Sequence, residues 1–489
     1  MNTTGTYIEL VGEFYEGTVF IYGTTLLIIY AILAMLSLFA VRRFARLESK
    51  INYDLLLKSK LTPGVSVIAP AFNESITIIQ NVHSLLNLNY PKYEVIIIND
   101  GSTDDSLEKM ITEFELIEID FAYNERLKTK PVKRIFRSSN PSYNKLTVVD
   151  KENGKAKADA SNAGINVCSF DYFVCTDVDS ILDRDTIMKL IKPIMDDNQK
   201  RVIATGATLR MANSCVVEQG FMQRVVVPKQ LLPRFQEIEY IRSFVMGKMG
   251  WSAINCVPNV SGGLGLFDKE ISIQAGGYDP QSFGEDMEMV IRMMTYCINY
   301  KIPYAIRYIP ITLCWTEGPV SLKVYGRQRS RWARGLAQLM YAHRKTLFNP
   351  SYGRLGMIVM PYNLVFELLA PLVEALGLIY YTVIIILDHI NWPYAIILLI
   401  FVYSYAIMIS TLSVLWDQIT YHTYKTWREI ATLCLTAFFE MIIYHPLIVF
   451  YSLKGYWNFL ANRKHTWGNM QRQGFGQQGT KTRAINAVT

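Results

Sequence analysis

Long apolar stretches without charge lie on both sides of a central part of mixed character. Residues 19 to 41 contain no charged side chain and are long enough to cross the hydrocarbon core of a bilayer as a helix. Residues 393 to 416 are also uncharged and predict a second span. Between about residues 45 and 350, short β-rich runs alternate with amphipathic helical stretches, which is typical of an α/β domain. The pattern therefore predicts a membrane-anchored α/β domain.

Two further apolar stretches are interrupted by polar residues. Residues 357 to 387 contain two glutamates and two prolines, which favours an interfacial helix leading into a span from about residue 375. Residues 430 to 453 contain a glutamate, a histidine and a proline, and are the weakest candidate span. If all four stretches cross the membrane, both ends of the chain lie on the same side, outside the cell.

Basic residues give a conflicting indication for the far end of the chain. Arg42, Arg43 and Arg46 follow the first apolar run, so the central domain is expected in the cytosol at the inner face of the plasma membrane. The tail beginning at Lys454 is basic as well and also favours the cytosol. One resolution is a surface helix over residues 445 to 461, with the preceding stretch re-entrant or residues 357 to 387 crossing twice. The sequence leaves the number of spans open.

The composition agrees with this division. The chain has 489 residues, of which 51% are hydrophobic and 19% charged, and its mean hydropathy is +0.15, whereas about 25% charged residues are usual in soluble domains. Seven scattered cysteines favour reduced thiols, and a net charge of +7 gives no reason to expect nucleic acid as a partner. We divide the chain into an N-terminal transmembrane helix (1–44), a cytosolic domain (45–350), transmembrane and interfacial helices (351–461) and a polar tail (462–489).

Polar residues follow two apolar strands early in the central domain. A predicted strand at 65–69 leads to Asn73 and Glu74, and another at 94–98 leads to Asp100. Near-continuous apolar strands are typical of a parallel sheet, whose carboxyl edge is where ligands collect. The alternative is that Asp100 and Gly101 form only a turn, with the following serine as a helix cap.

A third predicted strand, Tyr172 to Thr176, ends at Asp177 and Asp179. Because side chains alternate along a strand, both carboxylates leave it on one side, and hard oxygen ligands suit Mg²⁺ or Mn²⁺ bound to a diphosphate. Upstream, a glycine loop carries three lysines that either neutralise a diphosphate or form a solvated basic face. These lysines are Lys151, Lys155 and Lys157.

Acids and a basic aromatic helix follow towards the membrane. Glu285 and Asp286 follow a glycine-rich loop, where a buried carboxylate can act as a general base, although acids also favour the first turn of any helix. Gln328, Arg331 and Trp332 share one helical face that could stack on a sugar and hold a pyrophosphate. The alternative for this helix is a membrane-surface role.

Six short motifs follow one another along the central domain: PAFNE (70–74), NDGS (99–102), GKA (154–156), DVD (177–179), GED (284–286) and QRSRW (328–332). In this order they resemble the motifs of the membrane-integrated, processive family-2 glycosyltransferases, which include cellulose, chitin, hyaluronan and poly-N-acetylglucosamine synthases. The resemblance implies a cytosolic GT-A (Rossmann-like) α/β domain joined to an α-helical transmembrane region. It further implies inverting transfer from a UDP-sugar, dependent on Mg²⁺ or Mn²⁺, to a growing β-linked polysaccharide that crosses the membrane as it is made.

The resemblance also implies a role for each matching residue. Asp100 would contact the uridine, in a pocket lined by Asn73 and Glu74, while Lys155 would touch the diphosphate. Asp177 would lie at the nucleotide, Asp179 would bind the metal, and Asp286 would be the base. Gln328, Arg331 and Trp332 would lie at the acceptor and diphosphate. Secondary candidates are Glu285, Ser261 in a loop whose SGG departs from cellulose synthases, and Trp467 and Arg472 in a stretch similar to the gating loop of hyaluronan synthases.

The expected partners are a UDP-sugar donor, a polysaccharide or glycan acceptor and the lipid bilayer. Because three or four spans are few for a channel, a second copy of the chain or a secretion partner is a further expectation. The alternative function is a non-processive transferase that adds one sugar to a lipid acceptor. A transport or scaffold protein with an inactive transferase domain is disfavoured by the acids at 177, 179 and 286.

Overall fold

The central domain is built on a ten-stranded mixed sheet. A computed structural model describes residues 3–49, 51–218 and 220–462. The spatial order of the strands is β3-β4-β5-β2-β1-β6-β11-β8-β12-β7, and β9 pairs with β10 in a separate hairpin. The strands are β1 (Val65–Ala71), β2 (Tyr93–Asn99), β3 (Leu116–Glu118), β4 (Val132–Ser138), β5 (Leu146–Lys151), β6 (Tyr172–Thr176), β7 (Ile181–Leu182), β8 (Arg201–Met211), β9 (Val216–Glu218), β10 (Phe221–Arg224), β11 (Leu264–Asp268) and β12 (Tyr304–Thr316).

Helices cover the sheet and continue into the apolar ends of the chain. Helices α1 to α7 are Thr3–Glu48, Tyr53–Lys58, Ile78–Leu86, Ser106–Glu113, Lys157–Val167, Thr186–Asp196 and Leu231–Ile241. After a π-helical segment, Arg242–Lys248, helices α8 to α11 are Met249–Ala253, Lys269–Gln274, Glu285–Asn299 and Leu322–Ala342. The last three helices are α12 (Leu355–Ile386), α13 (Trp392–Tyr421) and α14 (Trp427–Leu460).

The sheet has a topological switch point where the site was predicted. Strand β1 pairs in parallel with β2 on one side and with β6 on the other. The order in which strands are added to the sheet therefore changes sides at β1. Ligands of open α/β sheets bind in the crevice at such a point, beyond the carboxyl ends of the strands. The predicted strand at 172–176 is confirmed at both ends, while β1 and β2 extend beyond the predicted limits. The predicted α/β fold class is confirmed.

Within the part of the chain that the structure describes, four helices are long and apolar enough to cross a membrane: Tyr15–Glu48 of α1, and α12, α13 and α14. Helices α12 and α14 each continue through π-helical turns. Proline accounts for these turns, because it lacks the N–H that the regular helical ladder needs. Pro361 lies between the two π-helical segments of α12, and Pro446 lies two residues after that of α14.

The first and last of the described helices, α1 and α14, pack onto the central domain. On α1, the Ser37 hydroxyl donates to the Val245 carbonyl at 2.6 Å, and a Cβ on Gly250 would lie 2.7 Å from the Leu33 carbonyl oxygen. On α14, a Cβ on Gly455 would lie 2.5 Å from the Ser330 carbonyl oxygen. The close approach of backbones at these two glycines fixes the apolar helices against the domain that carries the site.

Candidate functional site

A buried lysine, Lys151, holds the carboxylate of Asp100, the residue predicted to contact the uridine. Lys151 is fully buried, and its Nζ donates to Asp100 Oδ1 at 2.8 Å and to Asp159 Oδ2 at 2.5 Å. The backbone N–H of Gly154 also donates to Asp100 Oδ1, at 3.0 Å. Burial raises the pKa of Asp100, and the hydrogen bond from Lys151 opposes that rise. Lys151 is therefore the internal counter-ion of Asp100, and it does not belong to a solvated basic face.

The loops after β1 and β2 are tied to each other. Asn73 has a φ of 57°, its N–H donates to Ser102 Oγ at 3.0 Å, and its Oδ1 accepts from Thr103 N at 2.8 Å. The N–H of Glu74 donates to Ser106 Oγ at 3.0 Å. Ser102 thus joins the two loops, and Asp105 rather than Ser102 occupies the N-cap position of α4. The structure brings Asn73 and Glu74 beside the loop that begins with Asp100.

Of the remaining two lysines, Lys157 contacts a predicted site residue. Its Nζ donates to an Asp177 carboxylate oxygen and to the Gly262 carbonyl at 2.8 Å. Burial is the largest influence on the pKa of Lys157 and would lower it, but the charge and hydrogen bond of Asp177, together with other nearby acidic groups, raise it. Lys155 has a φ of 60° and is exposed at the tip of the loop. Lys155 as a ligand of the diphosphate stays a prediction.

The donor set at the end of β6 fits a divalent cation held jointly with a diphosphate. The Asp179 residue is 4% exposed, whereas the Asp177 side chain is 35% exposed. Within the described residues, no group of three or more His, Cys, Asp and Glu side chains could hold a metal ion alone. Two carboxylates supply hard oxygen ligands of the kind that Mg²⁺ and Mn²⁺ prefer, and phosphate oxygens commonly complete such sites.

The SGG loop lies between the two acidic clusters. A Cβ on Gly262 would lie 3.1 Å from Asp286 Oδ2, and a Cβ on Gly263 would lie 3.7 Å from Asp177 Oδ2. The half-buried Ser261 accepts from the Gly263 N–H at 3.4 Å, within the turn. The loop thus runs beside the predicted base and beside the predicted nucleotide ligand.

The two acids of the GED motif begin α10 in a charged environment. Burial and the neighbouring Asp286 raise the pKa of Glu285, while Arg331 and Lys157 oppose the rise. Lys248 lies over the ring of Phe244, with Nζ 4.6 Å from its centroid. Burial lowers the pKa of Lys248 to about 8, and Asp286 opposes that shift. The site therefore brings Lys157, Glu285, Asp286 and Arg331 together, with Lys248 behind them.

Helix α11 is docked on the GED loop. A Cβ on Gly335 would lie 2.7 Å from the backbone nitrogen of Gly284. The Phe283 N–H donates to Gln338 Oε1 at 3.2 Å, and the Arg334 guanidinium lies 4.1 Å from the centroid of the Phe283 ring. This contact places Arg331 beside Glu285, and it leaves Trp332 36% exposed.

Several residues at the site carry no sequence signal of their own. Gln236 donates from Nε2 to Gln328 Oε1 at 3.1 Å, although the two are far apart in sequence. Lys248 lies outside every recognised motif, and only the fold brings it near Asp286. Arg329 lies inside QRSRW, but neighbouring arginines are indistinguishable without knowledge of their burial. Trp467 and Arg472 lie outside the described residues.

The fold and site define a GT-A-type domain joined to apolar helices. The sequence profile described as Glycosyl transferase family 2 matches residues 66–209, and that of Glycosyl transferase family group 2 matches residues 172–443. The second match covers more than half of the chain, and the chain belongs to this family of glycosyltransferases. The predicted family resemblance is confirmed.

Among similar proteins, the poly-β-1,6-N-acetyl-D-glucosamine synthase of Staphylococcus epidermidis is 28% identical over 290 residues, which are 59% of this chain and 58% of the relative. A probable glycosyltransferase of Bacillus subtilis is 28% identical over 302 residues, covering 59% of this chain and 60% of the relative. The chain thus matches under two thirds of each relative. A mannosyltransferase from Pyrobaculum calidifontis, solved with GDP-Man and Mn²⁺, is 17% identical, with a TM-score of 0.50 over 89% of this chain and 99% of that one. That likeness supports the fold.

Proposed function

We propose that this chain is a processive synthase that transfers a sugar from a UDP-sugar to a growing β-linked polysaccharide and passes the product across the membrane. The observation that carries the proposal is the position of α11, which packs against the GED loop at Gly335 and against α14 at Ser330. The predicted acceptor motif thereby lies where the site meets the apolar helices. The similarity to poly-β-1,6-N-acetyl-D-glucosamine synthases supports a polysaccharide product.

The donor would bind at the switch point of the sheet. Asp100 would take the uridine, in the pocket beside Asn73 and Glu74, and Lys155 would bind the diphosphate from the loop tip. Asp177 would lie at the nucleotide, and Asp179 would hold Mg²⁺ or Mn²⁺, which when bound neutralises the diphosphate as a leaving group. The metal-binding neighbour of the same fold supports this choice of cofactor.

Transfer would be a single displacement with inversion. Asp286 accepts the proton of the acceptor hydroxyl, whose oxygen forms a bond to the anomeric carbon from the face opposite the diphosphate. The bond between that carbon and the diphosphate oxygen breaks, and its electron pair leaves with UDP. Lys157 and Arg331 supply positive charge beside the acids of this site. Gln328 and Trp332 would hold the acceptor, the indole by stacking on a sugar ring.

The test is to incubate the purified full chain in lipid nanodiscs with single UDP-sugars, UDP-N-acetylglucosamine first, and Mg²⁺ or Mn²⁺, and then to size the products. We expect a polymer from one donor, and only with a divalent cation. A lipid carrying one added sugar would instead establish the non-processive alternative. The absence of UDP release with every donor would overturn both.

A further inference from the structure

Helix α7 runs between the acceptor motif and the apolar helices, and polar side chains from it reach both. Gln236 and Glu239 are three residues apart, so they share one face of the helix. That face meets α11, where Gln236 pairs with Gln328 and Glu239 pairs with Arg329. Neither α7 residue belongs to a recognised motif.

The contact between the two glutamines fixes the orientation of an amide. Gln236 is 1% exposed, and its Nε2 donates to Gln328 Oε1 at 3.1 Å. Because the carbonyl oxygen of Gln328 is used as the acceptor, its amino group is directed away from α7. The two N–H donors of the Gln328 amide are therefore available for the hydroxyls of an acceptor sugar.

The contact between Glu239 and Arg329 supports the indole. The Glu239 carboxylate accepts from both terminal nitrogens, Nη1 and Nη2, of Arg329 at 2.6 Å. The hydroxyl oxygen of Tyr444 in α14 accepts from Nη2 at 2.8 Å. Burial is the largest influence on the pKa of Glu239 and would raise it, but the charge and hydrogen bond of Arg329, together with the hydrogen bond of Tyr444 and the charge of Arg242, lower it. The guanidinium lies 4.6 Å from the centroid of the Trp332 ring. Such a bidentate ion pair holds the guanidinium plane of Arg329 in one orientation. The guanidinium face that lies against the indole is thereby fixed as well.

Helix α7 is itself anchored by its other face. Glu237 accepts from Arg210 of β8 at 2.7 Å and from the hydroxyl of Tyr424 at 2.6 Å. Arg210 also donates to Asp417 of α13, and all three charged side chains of this cluster are 1% exposed. A buried ionic cluster of this kind has one favourable arrangement, because moving one partner would leave another charge uncompensated. Gln236 and Glu239 are therefore presented to α11 from a fixed element.

We propose that Gln236 and Glu239 are positioning residues for the acceptor: Gln236 orients Gln328, and Glu239 orients Trp332 through Arg329. This inference rests on the proposed function, because it takes Gln328 and Trp332 as acceptor-binding groups. It requires that changes at α7 act on the acceptor and on chain extension, and that they spare the donor, which binds at the other end of the site.

The test compares Gln236→Glu and Glu239→Gln with the wild type in nanodiscs. A carboxylate at position 236 can only accept, so it forces the Gln328 amide to turn, while Glu239→Gln removes the charge that holds Arg329. We expect the acceptor KM for an added oligosaccharide to rise about tenfold and the polymers to shorten, as the loss of one oriented hydrogen bond implies. The donor KM and the UDP affinity measured by calorimetry should change less than about twofold. Gln230→Glu, the same chemical change at the exposed residue preceding α7, is the matched control and should behave as wild type.

Two results would overturn the proposal. One is an unchanged acceptor KM and product length in both variants. The other is an equal loss of donor and acceptor binding together with a lower unfolding temperature, which would show a merely structural role. Arg329→Lys separates these cases, because lysine keeps the positive charge but cannot form the bidentate pair with Glu239. We expect this variant to keep the unfolding temperature of the wild type and to make shorter products. If the wild type adds a single sugar to a lipid, processivity fails, and the acceptor KM of the same variants for that lipid still decides the inference.

Discussion

At the scale of single residues, three lysines of one short segment have three different environments. Lys151 is fully buried between two carboxylates, Lys157 is largely buried against Asp177, and Lys155 is exposed with a positive φ. A buried ammonium needs a carboxylate partner, so the first two hold acids in place. Of the three, only Lys155 is exposed, as its proposed role as a ligand of the diphosphate requires.

The first prediction concerns the proposed base. Asp286→Asn should lower sugar transfer by roughly 100-fold to 10,000-fold, because the amide cannot take the acceptor proton. UDP binding should be nearly unchanged, since the residues proposed to bind the nucleotide follow β1, β2 and β6. Single-turnover transfer and titration calorimetry measure the two quantities, with Glu285→Gln as the control for the neighbouring acid. Equal loss of transfer and nucleotide affinity in Asp286→Asn would count against Asp286 as the base.

The second prediction is a dependence on pH. Because Lys248 has a pKa of about 8, it loses its charge as the pH rises through that value, and the site loses positive charge beside Asp286. We expect kcat/KM for the anionic donor to fall above about pH 8. Lys248→Arg should move this fall to higher pH, and Lys248→Met should remove it.

Unfolding would not explain that fall. In the unfolded chain, Lys248 keeps its proton up to about pH 10. Between about pH 8 and pH 10 the unfolded state therefore binds more protons than the folded state. As a result, this lysine makes the free energy of unfolding increase with pH. A Lys248→Met profile that still falls at the wild-type pH would refute the assignment.

At the scale of elements, the docking of α11 depends on the absence of a side chain. A Cβ at residue 335 would meet the backbone of Gly284 at 2.7 Å and of Phe283 at 2.8 Å, and backbone atoms cannot yield as a flexible side chain can. The helix bearing the acceptor motif can therefore approach the loop bearing the base only with glycine at this position.

Gly335→Ala tests this docking. Helix propensity alone would make alanine more stable by about 1 kcal/mol, whereas the close contact predicts destabilisation by about 1–3 kcal/mol and slower transfer. Thermal unfolding and UDP release measure the two effects. Gly17→Ala, at a glycine of α1 with open space around it, should not be destabilising. A more stable and fully active Gly335→Ala would show that α11 does not need this approach.

The sequence predicts the elements better than it predicts their contacts. The predicted limits of strand β6 are confirmed at both ends, because its apolar run ends sharply at Asp177. The motif order predicts the fold class and groups Asp177, Glu285, Asp286 and Arg331. It assigns Lys155 to the site, whereas the lysine that contacts Asp177 in the structure is Lys157. The partners from α7 and Lys248 could not be predicted, since these pairings join residues that are distant in sequence and depend on how α7, α8 and α11 pack. The glutamate and proline of α14 left its course open in the sequence, and the structure accommodates them with π-helical turns.

At the scale of the whole molecule, α14 differs from α13 in its contacts with the central domain. Leu433 and Ala437 pack in one cluster with Ile238 of α7, and further along Tyr444 contacts Arg329 while the Tyr451 carbonyl accepts from Ser330 at 3.0 Å. The helix therefore follows the surface of the domain along most of its length. In α13, by contrast, the buried residues lie only between Ile409 and Asp417. We infer that α1, α12 and α13 cross the membrane and that α14 lies at its cytosolic face.

This topology predicts that the two ends of the chain lie on opposite sides of the membrane, with the C-terminus in the cytosol. It reconciles the basic tail with the apolar helices, because three crossings that begin outside end inside. A green fluorescent protein fused after Thr489 should fluoresce, while alkaline phosphatase at the same place should be inactive. Alkaline phosphatase inserted in the turn between α12 and α13, at Asp388, should be active and is the control for an outside position. Active phosphatase after Thr489 would mean that α14 crosses the membrane, and the contacts of α14 with α7 and α11 would then have to break.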